Sequence, residues 1–205
     1  MERLILPSID WGVAASALPG HSVSGDWHAV FPFQGGVLVA AVDGLGHGDE
    51  AAAAAKAAIS ELEVAPSQPV ISMVRCCHES LRGTRGVVMS LASFNFTYGL
   101  MTWLGVGNVE GILLRSEANQ NPPEESLLLR PGVLGIQLPP LQAAVLPVFH
   151  GDTLILATDG IRRPFAGGVK LLESPQRIAE RMLAQQGRGT DDALVLVVRY
   201  LGETQ

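Results

Sequence analysis

Nowhere in this 205-residue chain do roughly 18 apolar residues stand in a row, so no membrane-spanning helix is expected. The opening Met1–Pro7, MERLILP, is too short an apolar stretch for a signal peptide. Positive charge is scarce too: 14 Lys and Arg against 20 Asp and Glu leave a net charge of −6. A nucleic-acid binder would need a basic stripe to neutralise phosphates, so that class is excluded, and negative charge is left over for a cation. Lys56 and Lys170 are the only lysines, a compositional bias with no functional meaning drawn from it. Cysteine is confined to the adjacent Cys76 and Cys77, which cannot form an ordinary disulfide with each other. They read as reduced thiols and point to the cytoplasm. The five histidines lack metal-ligand spacing, which argues against zinc. The glycines of GLGHG are not followed by Lys-Ser/Thr, as a nucleotide P-loop requires. With no coiled-coil heptads, a monomer is expected.

What remains is 47% apolar and 17% charged, a globular composition. The length suits one ordinary domain, and without repeats or linkers the span 1–205 is taken as a single domain. Ile9–Leu18 and Asp26–Phe33 read as strands, separated by PGHSVSG. Gln34-Gly35-Gly36 is a hairpin signal, so the strand ending at Asp43 should run antiparallel to Trp27–Phe33 and bring Asp43 beside Asp26. Asp49–Val64 is predicted helical, with acidic residues in its first turn and a stripe of Ala52, Ala55, Ile59 and Leu62 suited to close packing on a sheet. Pro69–Leu81 reads as a second helix. Gly86–Phe96, Leu100–Val106 and Val109–Arg115 are predicted to form an antiparallel meander, followed by a polar loop over Glu117–Glu125. Leu127–Leu129 and Leu134–Leu138 are short strand-like pieces around RPG. Ala143–Phe149 and Thr153–Ala157 are predicted as a hairpin. Pro175–Gln186 should be a helix with Ile178, Met182 and Leu183 facing inward, and Ala193–Leu201 a central strand. Strands around consecutive helices indicate an α+β fold.

Of eight aspartates, four fall at ends of predicted core strands: Asp26, Asp43, Asp159 and Asp191. Taken singly, each reads as a cap or turn residue. Two of them, Asp43 and Asp159, end an apolar run and are followed directly by glycine. Oxygen-only ligands on rigid strand ends suit Mg²⁺ or Mn²⁺, which keep several waters.

The order SGD, VDGLGHG with an alanine-rich helix, TDG, and TDDALVLVV resembles the protein phosphatase 2C superfamily. Within it the likeness is to the SpoIIE-type bacterial branch of serine/threonine phosphatases. RGVVMSLASFN and GLMTWLGVGNVEGIL are similar to the stressosome feedback phosphatases of that branch. The resemblance covers almost the whole chain, from Ser24 to Val198.

It implies a four-layer α/β/β/α sandwich of two mainly antiparallel sheets, with two Mn²⁺ or Mg²⁺ ions at one end. By the same likeness Asp43 would bridge both ions, and the Gly44 carbonyl would bind one. Asp159 and Asp191 would complete the ligands, and Asp26, also counted among the metal residues, would bind an ion directly or hold metal-bound water. Asp192 is given a supporting role. Asp26 and Asp43 would carry the catalysis, hydrolysis by a water that the two cations acidify. His47 could donate a proton to the leaving serine or threonine oxygen, or stand as an exposed loop histidine. The implied partners are phosphorylated STAS-domain proteins, the stressosome scaffold and co-antagonist. Two features depart from larger relatives: no long insertion forms a substrate flap, and Arg3 is the only N-terminal candidate for a phosphate-gripping arginine. Two alternatives stay open, a catalytically inactive relative that binds a partner and a phosphatase of small molecules.

Overall fold

The computed structural model describes residues 8–116, 122–163 and 167–202; Arg3 and positions 117–121 of the expected polar loop lie outside them. In chain order the elements are β1 (Ile9–Ser16), β2 (Asp26–Phe33), β3 (Gly36–Gly44), α1 (Asp49–Val64), α2 (Val70–Ser80), β4 (Val87–Asn95), β5 (Leu100–Val106), β6 (Glu110–Leu114), β7 (Glu124–Ser126), β8 (Leu129–Arg130), β9 (Ala144–Pro147), β10 (Thr153–Ala157), α3 (Pro175–Gln186) and β11 (Ala193–Tyr200). One sheet runs β1-β11-β10-β6-β7; the other runs β2-β3-β4-β5-β8, with β9 also on β5. Among the described residues only the β5–β8 pairing is parallel.

Strand alternation divides the core into three apolar zones. Val37, Val39 and Ala41 of β3 meet Leu194, Leu196 and Val198 of β11 between the sheets. The opposite face of β3, through Leu38, Ala40 and Val42, packs on Ala54, Ala55, Ala58 and Leu62 of α1 and on α2. Across the molecule Val195 and Val197 of β11 pack on Ile178, Ala179 and Met182 of α3. The layers are therefore helices, sheet, sheet, helix. β3 and β11 are apolar on both faces because each lies between two of these zones.

Both Asp-Gly motifs have the same steric cause. A Cβ on Gly44 would lie 2.1 Å from the Ala51 carbonyl oxygen, and one on Gly160 would lie 2.0 Å from that of Asp192. Glycine lets α1 and the start of β11 close onto the ends of the aspartate-bearing strands. Gly44→Ala is expected to cost at least about 2 kcal/mol, because the obstructing atoms are backbone and cannot rotate away. Denaturant unfolding checks this; an unchanged midpoint would contradict the close approach.

Three expectations need correction. β4 and β5 pair as expected, but β6 leaves the meander and pairs with β10 in the other sheet. The chain turns at Gly107, whose φ of +96° tucks it against Val88, and Val109 and Leu113 then enter the inter-sheet core. The predicted hairpin across His150-Gly151-Asp152 is instead a crossover: β9 pairs with β5, and β10 with β6 and β11. A tertiary clamp holds that crossing, since Arg115 bridges the buried Asp152 at 2.8 Å and also pairs with Glu125. The same clamp explains the third correction. Glu124 and Glu125, expected within a polar loop, form with Ser126 an edge strand on β6.

Candidate active site

The β2–β3 hairpin places Asp26 directly opposite Asp43 in the ladder. Where the hairpin ends, the Gly44 N–H donates to the Gly25 carbonyl at 3.1 Å and the Leu45 N–H to that of Gly86. Glycines 46 and 48 then carry the chain through positive φ into α1. From the other sheet, β10 leads directly into Thr158-Asp159-Gly160 and β11 begins just after Asp191-Asp192. Ends of strands from both sheets thus meet at one edge of the sandwich.

Asp43, His47, Asp159 and Asp191 line a cleft of 510 Å³, together with Leu45, Val88, Pro131 and Val133. The lining mixes carboxylates with apolar side chains. Asp26 and Asp192 do not line the cleft; they are 6% and 4% exposed and stand behind it. The Thr158 hydroxyl donates to Asp26 Oδ2 at 2.7 Å and accepts from the Leu194 N–H at 2.8 Å. That relay fixes the Asp26 carboxyl against the sheet carrying Asp159. Asp192 accepts from the Leu18 N–H through one oxygen and from the Gly25 N–H through the other, both at 2.7 Å. It thereby pins the loop that leads into Asp26. Asp191 Oδ1 accepts from the Asp192 N–H at 2.9 Å, and Asn108 Nδ2 donates to Asp159 Oδ2 at 2.8 Å. His47 is exposed, its ring edge-on to that of His21 with centroids 4.7 Å apart.

Crowding has an electrostatic cost. Burial, opposed by the Thr158 bond and reinforced by Asp192, Asp159 and Asp191, pushes the Asp26 carboxyl up to about 7. Burial and then the charge of Asp26 push Asp43 up to about 8. Asp159 is also raised, by partial burial and by Asp191, while Arg188 pulls it back. Neighbouring carboxylates that resist ionisation in this way favour a cation among them.

The donors fit a hard divalent ion, being oxygens carried on rigid strand ends. Among the described residues no group of three or more His, Cys, Asp or Glu side chains is gathered tightly enough to hold one ion unaided.

Sequence reasoning missed Thr158, Asn108 and His21 as parts of this site. Thr158 lies inside a motif that did draw notice. Asn108 follows a glycine and carries only a turn signal; the β5-to-β6 crossing is what brings it to Asp159.

Comparison with known proteins agrees with this architecture. Residues 34–201 match the family model for stage II sporulation protein E, SpoIIE. Phosphoserine phosphatase RsbX of Bacillus subtilis (strain 168) is 28% identical over 147 residues, 71% of each chain. A chain from a structure of the bacterial stressosome, described as a modular system adapted to control secondary messenger signalling, is 30% identical. It superposes with a TM-score of 0.84 over 93% of this chain and 99% of its own. RsbX in complex with magnesium has the same fold, with a TM-score of 0.85 at 23% identity over 96% of this chain and 98% of its own. The match to the SpoIIE model spans far more than half of the sequence, and the chain belongs to the SpoIIE family of protein phosphatase 2C-fold proteins.

Proposed function

We propose that this chain is a single-domain, metal-dependent phosphoserine/phosphothreonine protein phosphatase acting on STAS-domain proteins of a stressosome, its scaffold and co-antagonist. One observation carries the reading: Asp43, Asp159 and Asp191 from two sheets converge on one cleft, with Asp26 buried behind them. The similarity to a phosphoserine phosphatase, and to a chain of a stressosome structure, supports the substrate class.

In this mechanism Asp43, the Gly44 carbonyl, Asp159 and Asp191 would hold two Mn²⁺ or Mg²⁺ ions. Bound there, such ions would acidify water and offset charge on the phosphoryl oxygens. The protein supplies the rest. Asp26, whose carboxyl the Thr158 hydroxyl fixes, stands behind the cleft and would hold water bound to the ions. Asp192 maintains that alignment through its two backbone bonds, a positioning role. Asn108 fixes the rotamer of Asp159. His47, on the exposed rim, would protonate the departing serine or threonine oxygen. The apolar lining residues Leu45, Val88 and Val133 would receive the substrate backbone and limit water.

The test is hydrolysis of a phosphorylated STAS-domain protein with and without chelator. Chelation should abolish turnover and added Mn²⁺ restore it, and the phosphoprotein should be preferred over free phosphoserine. Turnover indifferent to chelator would contradict the metal role; equal rates on free phosphoserine would favour a small-molecule phosphatase.

A further inference from the structure

Beside the carboxylate cleft lies a second depression of 530 Å³, lined by Arg162, Arg163, Arg188 and Thr190. Its position follows from backbone pairing. The chain leaving Asp159 and the chain approaching Asp191 are tied together where the Arg162 N–H donates to the Gln186 carbonyl at 2.9 Å. The Arg188 N–H donates to that of Gly160 at 2.8 Å, around an Ile161–Gly187 bridge. Three guanidiniums are thereby held on one rim of the site, each within three residues of Asp159 or Asp191 or, for Arg163, four. Arg163 pairs with Glu110. Among the described residues no ion pair engages Arg162 or Arg188, although Arg188 acts electrostatically on Asp159. All three are exposed, in a chain whose net charge is −6.

A cationic rim on an acidic protein next to a phosphoryl-binding cleft is suited to an anion carried by the substrate. Resting on the phosphatase reading above, we infer that this depression selects substrates bearing an acidic side chain close to the phosphorylated residue. Guanidiniums bind carboxylates through paired hydrogen bonds, which makes arginine the appropriate donor. The depression adjoins the cleft through the Arg188–Gly160 backbone bond, and an extended peptide spans about 10 Å in three residues. The acidic residue therefore lies within about three positions of the phosphoserine. Exposed charges of this kind act more on partner choice and encounter rate than on intrinsic turnover.

The experiment compares kcat/KM for two phosphoserine peptides identical except for Asp or Asn at flanking positions, together with p-nitrophenyl phosphate, in wild type and Arg162→Gln. Wild type should favour the Asp peptide by about tenfold, a difference of about 1.4 kcal/mol. Arg162→Gln should lose most of that preference while p-nitrophenyl phosphate turnover is unchanged, and raised salt should erode the preference in wild type. Equal rates on both peptides in wild type, or a preference that survives Arg162→Gln, would overturn the inference. So would weakened inhibition by inorganic phosphate in the variant without any flank preference, since that marks a product site. Absence of turnover on every substrate, p-nitrophenyl phosphate included, would instead overturn the phosphatase reading and this inference with it.

Discussion

Asp43→Asn is expected to lower kcat/KM by at least about a thousandfold, equivalent to about 4 kcal/mol of transition-state stabilisation. It should also make the metal-free protein more stable at pH 8. Both effects have one cause. Asp43 sits opposite Asp26 in the β2–β3 ladder, and burial together with the Asp26 charge lifts its carboxyl to about 8. Ionising it without a counter-cation works against folding, and an isosteric amide removes that cost. Each kcal/mol relieved raises Tm by about 2–4 °C in a domain of this size. The gain should be smaller at pH 5.5 and vanish only below about 3.8, where the unfolded carboxyl is protonated as well. Thermal unfolding in chelator at the two pH values, alongside phosphopeptide kinetics, reads both halves. A variant that loses activity because it unfolds would contradict the electrostatic account.

Local signals made much of this arrangement legible. Asp26–Phe33, Asp49–Val64, Leu100–Val106, Thr153–Ala157 and Pro175–Gln186 coincide with their elements because their ends carry strong punctuation: glycine pairs, acidic first turns or a proline at the first helical position. The pairing of Asp26 with Asp43 follows from a single short hairpin and needed no tertiary information. Crossings between sheets were not legible. Gly107-Asn108 and His150-Gly151-Asp152 have the composition of hairpin turns, yet each carries the chain into the other sheet. The deciding contacts are remote in sequence: Val88 against Gly107, and Arg115 between Asp152 and Glu125. Thr158 and Asn108 stayed hidden for the same reason, since their roles depend on Asp26 and Asp159, 132 and 51 residues away. The buried pair Asp192 with Gly25 spans 167 residues and could be assigned only a supporting part in advance.

In chelator, the melting temperature is expected to fall as pH rises from about 7 to 8.5, and Mn²⁺ should reverse the loss. A carboxyl held at about 7 or 8 in the native state, against 3.8 ordinarily, binds its proton more tightly when the chain is folded. Its contribution to stability is complete below the unfolded value and disappears as pH climbs through the folded one. Asp26 and Asp43 therefore destabilise the metal-free fold progressively up to about pH 8. His28 acts in the opposite sense, since burial lowers it from 6.5, so the slope is read above pH 7 where that contribution is complete. The Cys77 thiol, pushed up to about 12 by burial, adds a further loss only as pH passes its ordinary 9.0, which sets the upper limit of the window. A divalent ion among the carboxylates replaces the missing protons. At a hundredfold excess over its Kd it contributes about 2.7 kcal/mol, or about 5–11 °C in Tm at 2–4 °C per kcal/mol. The shift should shrink below pH 6, where protons compete for the same oxygens, and should be lost or sharply reduced in Asp43→Asn. A flat Tm between pH 7 and 8.5 in chelator, with no response to Mn²⁺, would mean that the four aspartates form a structural hydrogen-bonded cluster and not a cation site.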